Sequence, residues 1–325
     1  MSKPTLYNKS CYGLEDIEDN SIDALVTDPP YGLGFQNHEW DKGHVPEKQI
    51  WEDSWRVLKP GGYGVVFSFP RLMHRVMIDI EDSGFILKDV LFWANLNGMP
   101  KTRNIALDID KELGVESEID GEYNYTQGYI KDGADSYKVK ERKYRRKPAS
   151  ELGKKYAGSG TNLKPVYEPI ILIQKPISES NIAKNVIKYG TGVLNIEDGR
   201  IPYSLQERGK KIGHNPHPIG RVPSHILRYE EMNDRYDKFF VIPKVRKQKD
   251  LFNYHPTIKP IELMSHLISL VSFKDQLVLD PFMGSGSTAL AAIIKERNFI
   301  GYEKDKKYFD ISQKRIDIEL NQKLI

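Results

Sequence analysis

A chain of 325 residues has room for one large domain or two ordinary ones, and 39% hydrophobic with 29% charged residues is the balance of a globular protein, not of a disordered or fibrous one. Its net charge of +3, from 48 basic and 45 acidic side chains, excludes a globally basic nucleic-acid binder, so any basic footprint has to be local. Cys11 is the only cysteine, which excludes an intrachain disulfide and a cysteine-based zinc site; with no signal-like apolar start and no run of about 18 apolar residues, the expected location is cytoplasmic, with no membrane partner.

In chain order, SIDALVT (21–27) is a short apolar run ending at the turn-forming DPPYG, the pattern of a buried strand. The spacing predicts a helix over 47–58 with Ile50, Trp51, Trp55 and Leu58 on one side. Lys59-Pro60-Gly61-Gly62 stops that helix, and YGVVFSF reads as a second buried strand. FILKDVLFW (85–93) and YEPIILIQ (167–174) supply two more strands. Between them the stretch 99–165 reads as irregular, with six tyrosines between 123 and 156 and seven basic residues against one glutamate in KVKERKYRRK (138–147). A second irregular stretch, roughly 176–250, is rich in Pro, Gly, His and Arg. Pro260 then opens a helix with Ile261, Met264, Leu267, Ile268 and Val271 on one face. QLVLD, GSTALAAIIKE and FIGYE follow as strand, helix and strand, and a last helix starts near Asp305. Strands alternating with helices predict an α/β fold with a doubly wound sheet, and the irregular stretches read as insertions on that core.

VLDPFMGSGSTALAAI has the form strand, glycine-rich turn, helix. Gly284 and Gly286 allow a tight turn and close approach of a ligand, and the helix N-terminus beginning near Ser287 offers free N–H groups. About 20 residues on, Glu303 ends the next strand, where a carboxylate can accept from both hydroxyls of a ribose. Glycines plus an acidic residue fit a dinucleotide as well as a nucleoside. The form DPFMGSG in place of GxGxxG, with Asp280 beside it, favours a ligand carrying a positive amino group.

Asp28-Pro29-Pro30-Tyr31 follows a buried strand directly. Two prolines remove two N–H donors and fix two φ angles, leaving a rigid loop with free carbonyls. Asp28 adds a carboxylate acceptor and Tyr31 a flat face. Two acceptors and an aromatic surface are what an exocyclic amino group of a base requires.

Together these motifs resemble the β-class amino-group DNA methyltransferases, which modify adenine N6 or cytosine N4, with DPPY preceding FxGxG in the chain. Tyr254-His255-Pro256-Thr257-Ile258-Lys259-Pro260 is similar to the family's HPTxKP segment, Tyr167-Glu168-Pro169-Ile170 to Lys175-Pro176 to its (H/Y)E-x-I-L…K-P strand, and Leu58 to Gly62 to its helix–strand junction. TGVLNIEDGRIPY (191–203), GRVPSHIL (220–227) and YGLGFQNHEWD (31–41) look like phage-type modification methylases. The resemblance implies a Rossmann-like fold with permuted motif order, S-adenosylmethionine as cofactor and double-stranded DNA as substrate. Asp28 and the Pro29 carbonyl would hold the target amine, in the rigid turn that Pro30 completes, and Tyr31 would stack on the extruded base. Asp280, Phe282, Gly284, Gly286 and Ser287 would line the cofactor site, Glu303 would take its ribose, and Thr257 and Lys259 would meet its methionine end. Where the family often has an Asp upstream of DPPY, this chain has Ser10.

The implied division is a catalytic and cofactor-binding core of 1–99 and 250–325 with a strand at 166–175, a basic insertion at 100–165 and a target-recognition region at 176–249. Arg142, Lys143, Arg145, Arg146, Lys210, Lys211 and Arg221 suit phosphate contacts, which position DNA without reading it. His214, His217 and His255 lack the spacing of a metal site, so no metal is expected. The sequence leaves the oligomeric state open, a homodimer included. The rivals are a cytosine N4 enzyme, whose branch tends to carry SPPY, a methyltransferase of RNA bases or protein glutamine, where NPPY is usual and the cofactor motif comes first, and a catalytically silent DNA-binding module.

Overall fold

The computed structural model describes residues 4–33, 46–94, 102–131, 134–163, 165–200, 217–218, 220–228, 240–241 and 258–322, with backbone only at 124–131, 134–142, 228 and 240–241. The chain divides into two compact units, Met1–Asn95 with Tyr167–Ile325, and Leu96–Val166.

Among the described residues, the first unit is built on a nine-stranded sheet. Its strands, in chain order, are β1 (Thr5–Tyr7), β2 (Ile22–Thr27), β3 (Leu58–Phe67), β4 (Ile86–Ala94), β7 (Tyr167–Gln174), β8 (Ile226–Arg228), β9 (Phe240–Val241), β10 (Leu277–Asp280) and β11 (Asn298–Tyr302). In space the order is β1-β11-β10-β2-β3-β7-β4-β8-β9, and only β7 runs antiparallel to its neighbours.

Helices cover both faces, which is why the central strands read as unbroken apolar runs. Side chains alternate between two cores: Ala24, Val26, Val65, Phe67, Ile170, Leu172 and Val278 point to one, and Leu25, Val66, Ile171, Ile173 and Leu279 to the other. The first core is closed by α6 (Ile261–Val271), α7 (Ser287–Ile294) and α8 (Lys306–Gln322), the second by α1 (Lys48–Val57) and α2 (Met73–Asp82). Asp305 starts α8 as predicted, its carboxylate accepting from the Lys307 N–H at 2.8 Å. No helix among the described residues is long and apolar enough to cross a membrane.

One local expectation changes. Lys59–Gly62 ends α1 but is not a separate turn, because the residues already belong to β3 and pair irregularly with β2. Gly61, at φ 81°, is forced by packing: a Cβ there would lie 2.5 Å from the Asn185 amide nitrogen and 3.0 Å from the Gly192 Cα. Asn185 sits on α5 (Ile182–Tyr189), a helix inside the stretch that reads as irregular.

The second unit overturns the irregular reading of 99–165. It contains α3 (Ile105–Glu112), a long hairpin of β5 (Glu118–Lys131) and β6 (Ala134–Lys147), and α4 (Glu151–Lys155). The base of the hairpin is clamped by Asp110. Its carboxylate accepts from the Ser150 hydroxyl at 2.5 Å, the Ala149 N–H at 2.7 Å, the Ser150 N–H at 3.1 Å and the Ser117 hydroxyl at 3.0 Å. These donors, the Ser150 hydroxyl foremost, pull the carboxyl down to about 2.

Candidate active site

β2 and β10 are parallel neighbours, with Val278 opposite Ala24 and Leu279 opposite Leu25. Their C-terminal ends therefore release the Asp28–Tyr31 loop and the Asp280–Gly286 loop side by side, although 252 residues separate Asp28 from Asp280 (280 − 28). The two loops are stitched together. The Thr27 hydroxyl donates to Asp280 Oδ1 at 2.7 Å, the Phe282 N–H donates to the same oxygen at 3.0 Å, and the Thr288 hydroxyl donates to Oδ2 at 2.6 Å. Asp280 is thus buried with both oxygens occupied from within the protein, and burial pushes its carboxyl up to about 6.

Asp28 lies at the mouth of the site, partly buried. Oδ1 accepts from the Tyr31 hydroxyl at 2.7 Å, and Oδ2 accepts from Lys259 Nζ at 2.5 Å. The Lys259 ammonium also reaches Tyr31 Oη at 3.3 Å and Glu168 Oε2 at 3.4 Å, and lies 4.7 Å from the Phe67 ring centroid. Burial pulls this ammonium down, but the two carboxylates outweigh it and hold it above the ordinary lysine range. Burial pushes the Asp28 carboxyl upward, against the opposing pull of Lys259 and of the Tyr31 hydroxyl. The resemblance assigns Lys259 to the methionine end of a cofactor, whereas its ammonium here sits on Asp28. Glu168 and Thr27 are partners that residue-by-residue reading did not single out. The signal for Glu168 was the YEPIIL strand itself.

On the other side, Gly284 (φ 55°) and Gly286 (φ 83°) turn the backbone through conformations that L side chains rarely adopt. Glu303 follows β11 and bridges this turn: its Oε2 accepts from the Gly284 N–H at 3.0 Å and its Oε1 from the Asp305 N–H at 2.7 Å. Burial pushes the Glu303 carboxyl up while those two N–H groups pull against it. Asn8 Nδ2 donates to the Glu303 carbonyl at 2.8 Å, and the Glu303 N–H to the Tyr7 carbonyl at 3.0 Å, so β1 braces the same corner. Phe282 and Gly284 are half-buried at this edge. Ser287 is buried against Arg315 of α8, its hydroxyl 3.4 Å from the guanidinium. Ser10 is exposed and its hydroxyl accepts from the Tyr12 N–H at 3.4 Å. The Cys11 thiol is buried and pushed up to about 12 by desolvation, which leaves it protonated and unreactive.

Of the predicted basic contacts, Arg145 and Arg146 are exposed and Lys143 half-exposed on β6, and the backbone of Arg142 pairs with Asn124 across the hairpin. Arg146 also donates to the Ser117 carbonyl at 3.2 Å. Arg221 is half-buried in the first unit. Thr257, Lys210, Lys211, His214 and His255 lie outside the described residues, and His217 Nε2 is 3.6 Å from Glu197 Oε1.

Residues 22–314 match the N6/N4 DNA methylase family. The chain belongs to this family. The methylase is similar to the type II methyltransferase M.HindIII of Haemophilus influenzae, with 28% identity over 97% of this chain and 96% of that one. The solved structure of the M1.HpyAVI–SAM complex superposes with a TM-score of 0.50 at 19% identity, covering 96% of the methylase and 98% of its counterpart. The cytosine-N4-specific PvuII DNA methyltransferase gives 0.52 at 17% identity, covering 99% and 93%. The methylase therefore has the doubly wound α/β fold expected from its sequence, and it is a DNA methyltransferase.

Proposed function

We propose that this DNA methyltransferase transfers a methyl group to adenine N6 at specific sites in double-stranded DNA. The reading rests on one juxtaposition: the Asp28 carboxylate ends the strand next to the one that ends in the Gly284–Gly286 turn, and the Thr27–Asp280 hydrogen bond holds the two loops together. A nucleoside fits that turn, because two positive-φ glycines keep side chains out of the way and the Glu303 carboxylate stands at its edge. S-adenosylmethionine, the donor, supplies a methyl group on a positively charged sulfur. Phe282, Gly284, Gly286, Ser287 and Glu303 would hold it, with Asp280 fixing the turn from behind.

The protein's own part is to bind and aim the amine. Asp28 and the Pro29 carbonyl accept its two N–H bonds, which turns the nitrogen lone pair away from the ring and toward the donor. Tyr31 packs on the base. A base inside a duplex has to leave the stack first, at a cost of a few kcal/mol. No side-chain nucleophile is needed, consistent with the protonated Cys11. Arg142, Lys143, Arg145, Arg146, Lys210, Lys211 and Arg221 contact phosphates, the residues at 176–249 read the target sequence, and Asp at the head of the PPY motif favours adenine over cytosine.

The test is Asp28→Ala. Methylation of duplex DNA falls by at least about a thousandfold, the scale of losing a transition-state contact, while S-adenosylmethionine binding by calorimetry stays within a few-fold. Mass spectrometry of nucleosides from DNA modified by the unaltered protein shows N6-methyladenine; N4-methylcytosine instead would replace the substrate and keep the site. Near-normal methylation by Asp28→Ala would remove the site as well.

A further inference from the structure

The target amine has to take acceptors that Asp28 is already using. Its Oδ2 is held by Lys259 at 2.5 Å and its Oδ1 by the Tyr31 hydroxyl at 2.7 Å, so the docking amine competes with the ammonium for this carboxylate. A second carboxylate is within reach of the same nitrogen. Glu168 Oε2 lies 3.4 Å from Lys259 Nζ, and topology explains how it comes to be there. β7 is the antiparallel strand of the sheet, so it begins where β2 and β3 end, and its second residue arrives at the edge where Asp28 sits. Lys259 itself is nearly buried, with its side chain 8% exposed, and is framed by Asp28, Glu168, the Tyr31 hydroxyl and the Phe67 ring. An ammonium released from Asp28 in such a place costs several kcal/mol unless another anion takes it up.

Charge makes the same point. Asp28 and Lys259 alone sum to zero, and adding Glu168 gives the cluster a net charge of −1. As the amine's lone pair forms the new N–C bond, the old bond's electron pair leaves with the donor sulfur, and the nitrogen carries one positive charge until it releases one of its two protons to Asp28 and on to water. A neutral cluster stabilises that developing charge only through its dipole, whereas a net negative one in a largely buried site stabilises it more strongly.

Resting on the proposed site, we propose that Glu168 is a positioning residue of the methyl-transfer reaction: it takes Lys259 over from Asp28 as the target amine docks, and keeps the cluster negatively charged. Glu168→Gln preserves shape and one acceptor oxygen but removes the charge, and Glu168→Asp restores it.

In the full-length protein, Glu168→Gln lowers kcat about 10- to 100-fold, with the dissociation constant for S-adenosylmethionine and the melting temperature unchanged, and Glu168→Asp recovers most of the loss. A readout independent of turnover is the titration of Lys259 in the ligand-free protein, followed by NMR of 13C-labelled lysine. Glu168→Gln shifts the Lys259 titration to lower pH, because one of the two carboxylates holding the ammonium is gone. A kcat within twofold of the unaltered protein, while Asp28→Ala is inactive, overturns the role of Glu168 and leaves the site standing. So does a loss of turnover with an unmoved Lys259 titration, which is the mark of a merely structural contribution. Activity in Asp28→Ala overturns the site beneath both.

Discussion

Asp280 shows how one buried group can tie two halves of a site together at a cost to stability. It accepts three hydrogen bonds, yet burial still raises its carboxyl from 3.8 to about 6. The folded state therefore binds the proton more tightly than the unfolded chain, so this group's contribution to stability falls as pH rises from about 4 to about 6. His266, buried on α6 and drawn down to about 4, acts in the opposite sense: its contribution is lost as pH falls from 6.5 toward 4. The two oppose each other in the unaltered protein, so Asp280 has to be seen by difference. Asp280→Asn keeps the shape and removes the titration. Urea unfolding at pH 4 and at pH 7 should show the variant gaining about 3 kcal/mol relative to the unaltered protein at the higher pH. A difference that stays constant across pH would mean that Asp280 is not held in this way. At this scale the sequence was informative wherever chemistry is local: Asp28 to Tyr31 and Gly284 to Gly286 are short runs whose chemistry needs no partner to be recognised. Lys259 on Asp28 was not legible, because the contact spans 231 residues and depends on strand order.

Among elements, the buried ones announced themselves and the exposed ones did not. β2, β3, β7 and β10 are covered on both faces, so their apolar runs survive in the sequence. Near its base the β5–β6 ribbon has Ile119, Tyr123 and Tyr144 exposed, so among its described side chains the apolar residues do not mark a buried face, and the pairing is written across the hairpin, as in Tyr123 opposite Lys143. α7 was legible from its glycines, but the reason for the second glycine was not. A Cβ on Gly286 would meet the Ser312 Cβ at 2.9 Å, so the glycine lets α8 close against the start of α7 as well as allowing φ 83°. Gly286→Ala should therefore cost about 1–3 kcal/mol of stability by chemical denaturation and weaken cofactor binding with it. Lost affinity with unchanged stability would place the role of Gly286 in the ligand alone.

At the level of the whole chain, the point of entry of the second unit is decisive. Ala94 and Tyr167 are register partners in the antiparallel β4–β7 pair, so Leu96–Val166 occupies the place of a hairpin loop between adjacent strands. A unit inserted between neighbouring strand ends can be replaced by a short turn without re-routing the sheet. With a net charge of only +3, the protein needs its basic residues concentrated somewhere to hold DNA, and seven of them fall within 138–147. Replacing 96–166 by a short glycine-containing turn should leave a folded protein that binds S-adenosylmethionine with normal affinity and binds duplex DNA poorly. Reversing only Arg142, Lys143, Arg145 and Arg146 to glutamate separates charge from scaffold. If all four contact phosphates, the slope of log affinity against log salt becomes shallower by about 3–4, and the loss is uniform across DNA sequences. An unchanged slope in that variant would take the hairpin out of the DNA interface and leave the positive charge for DNA to the first unit, while the Asp28 site would stand.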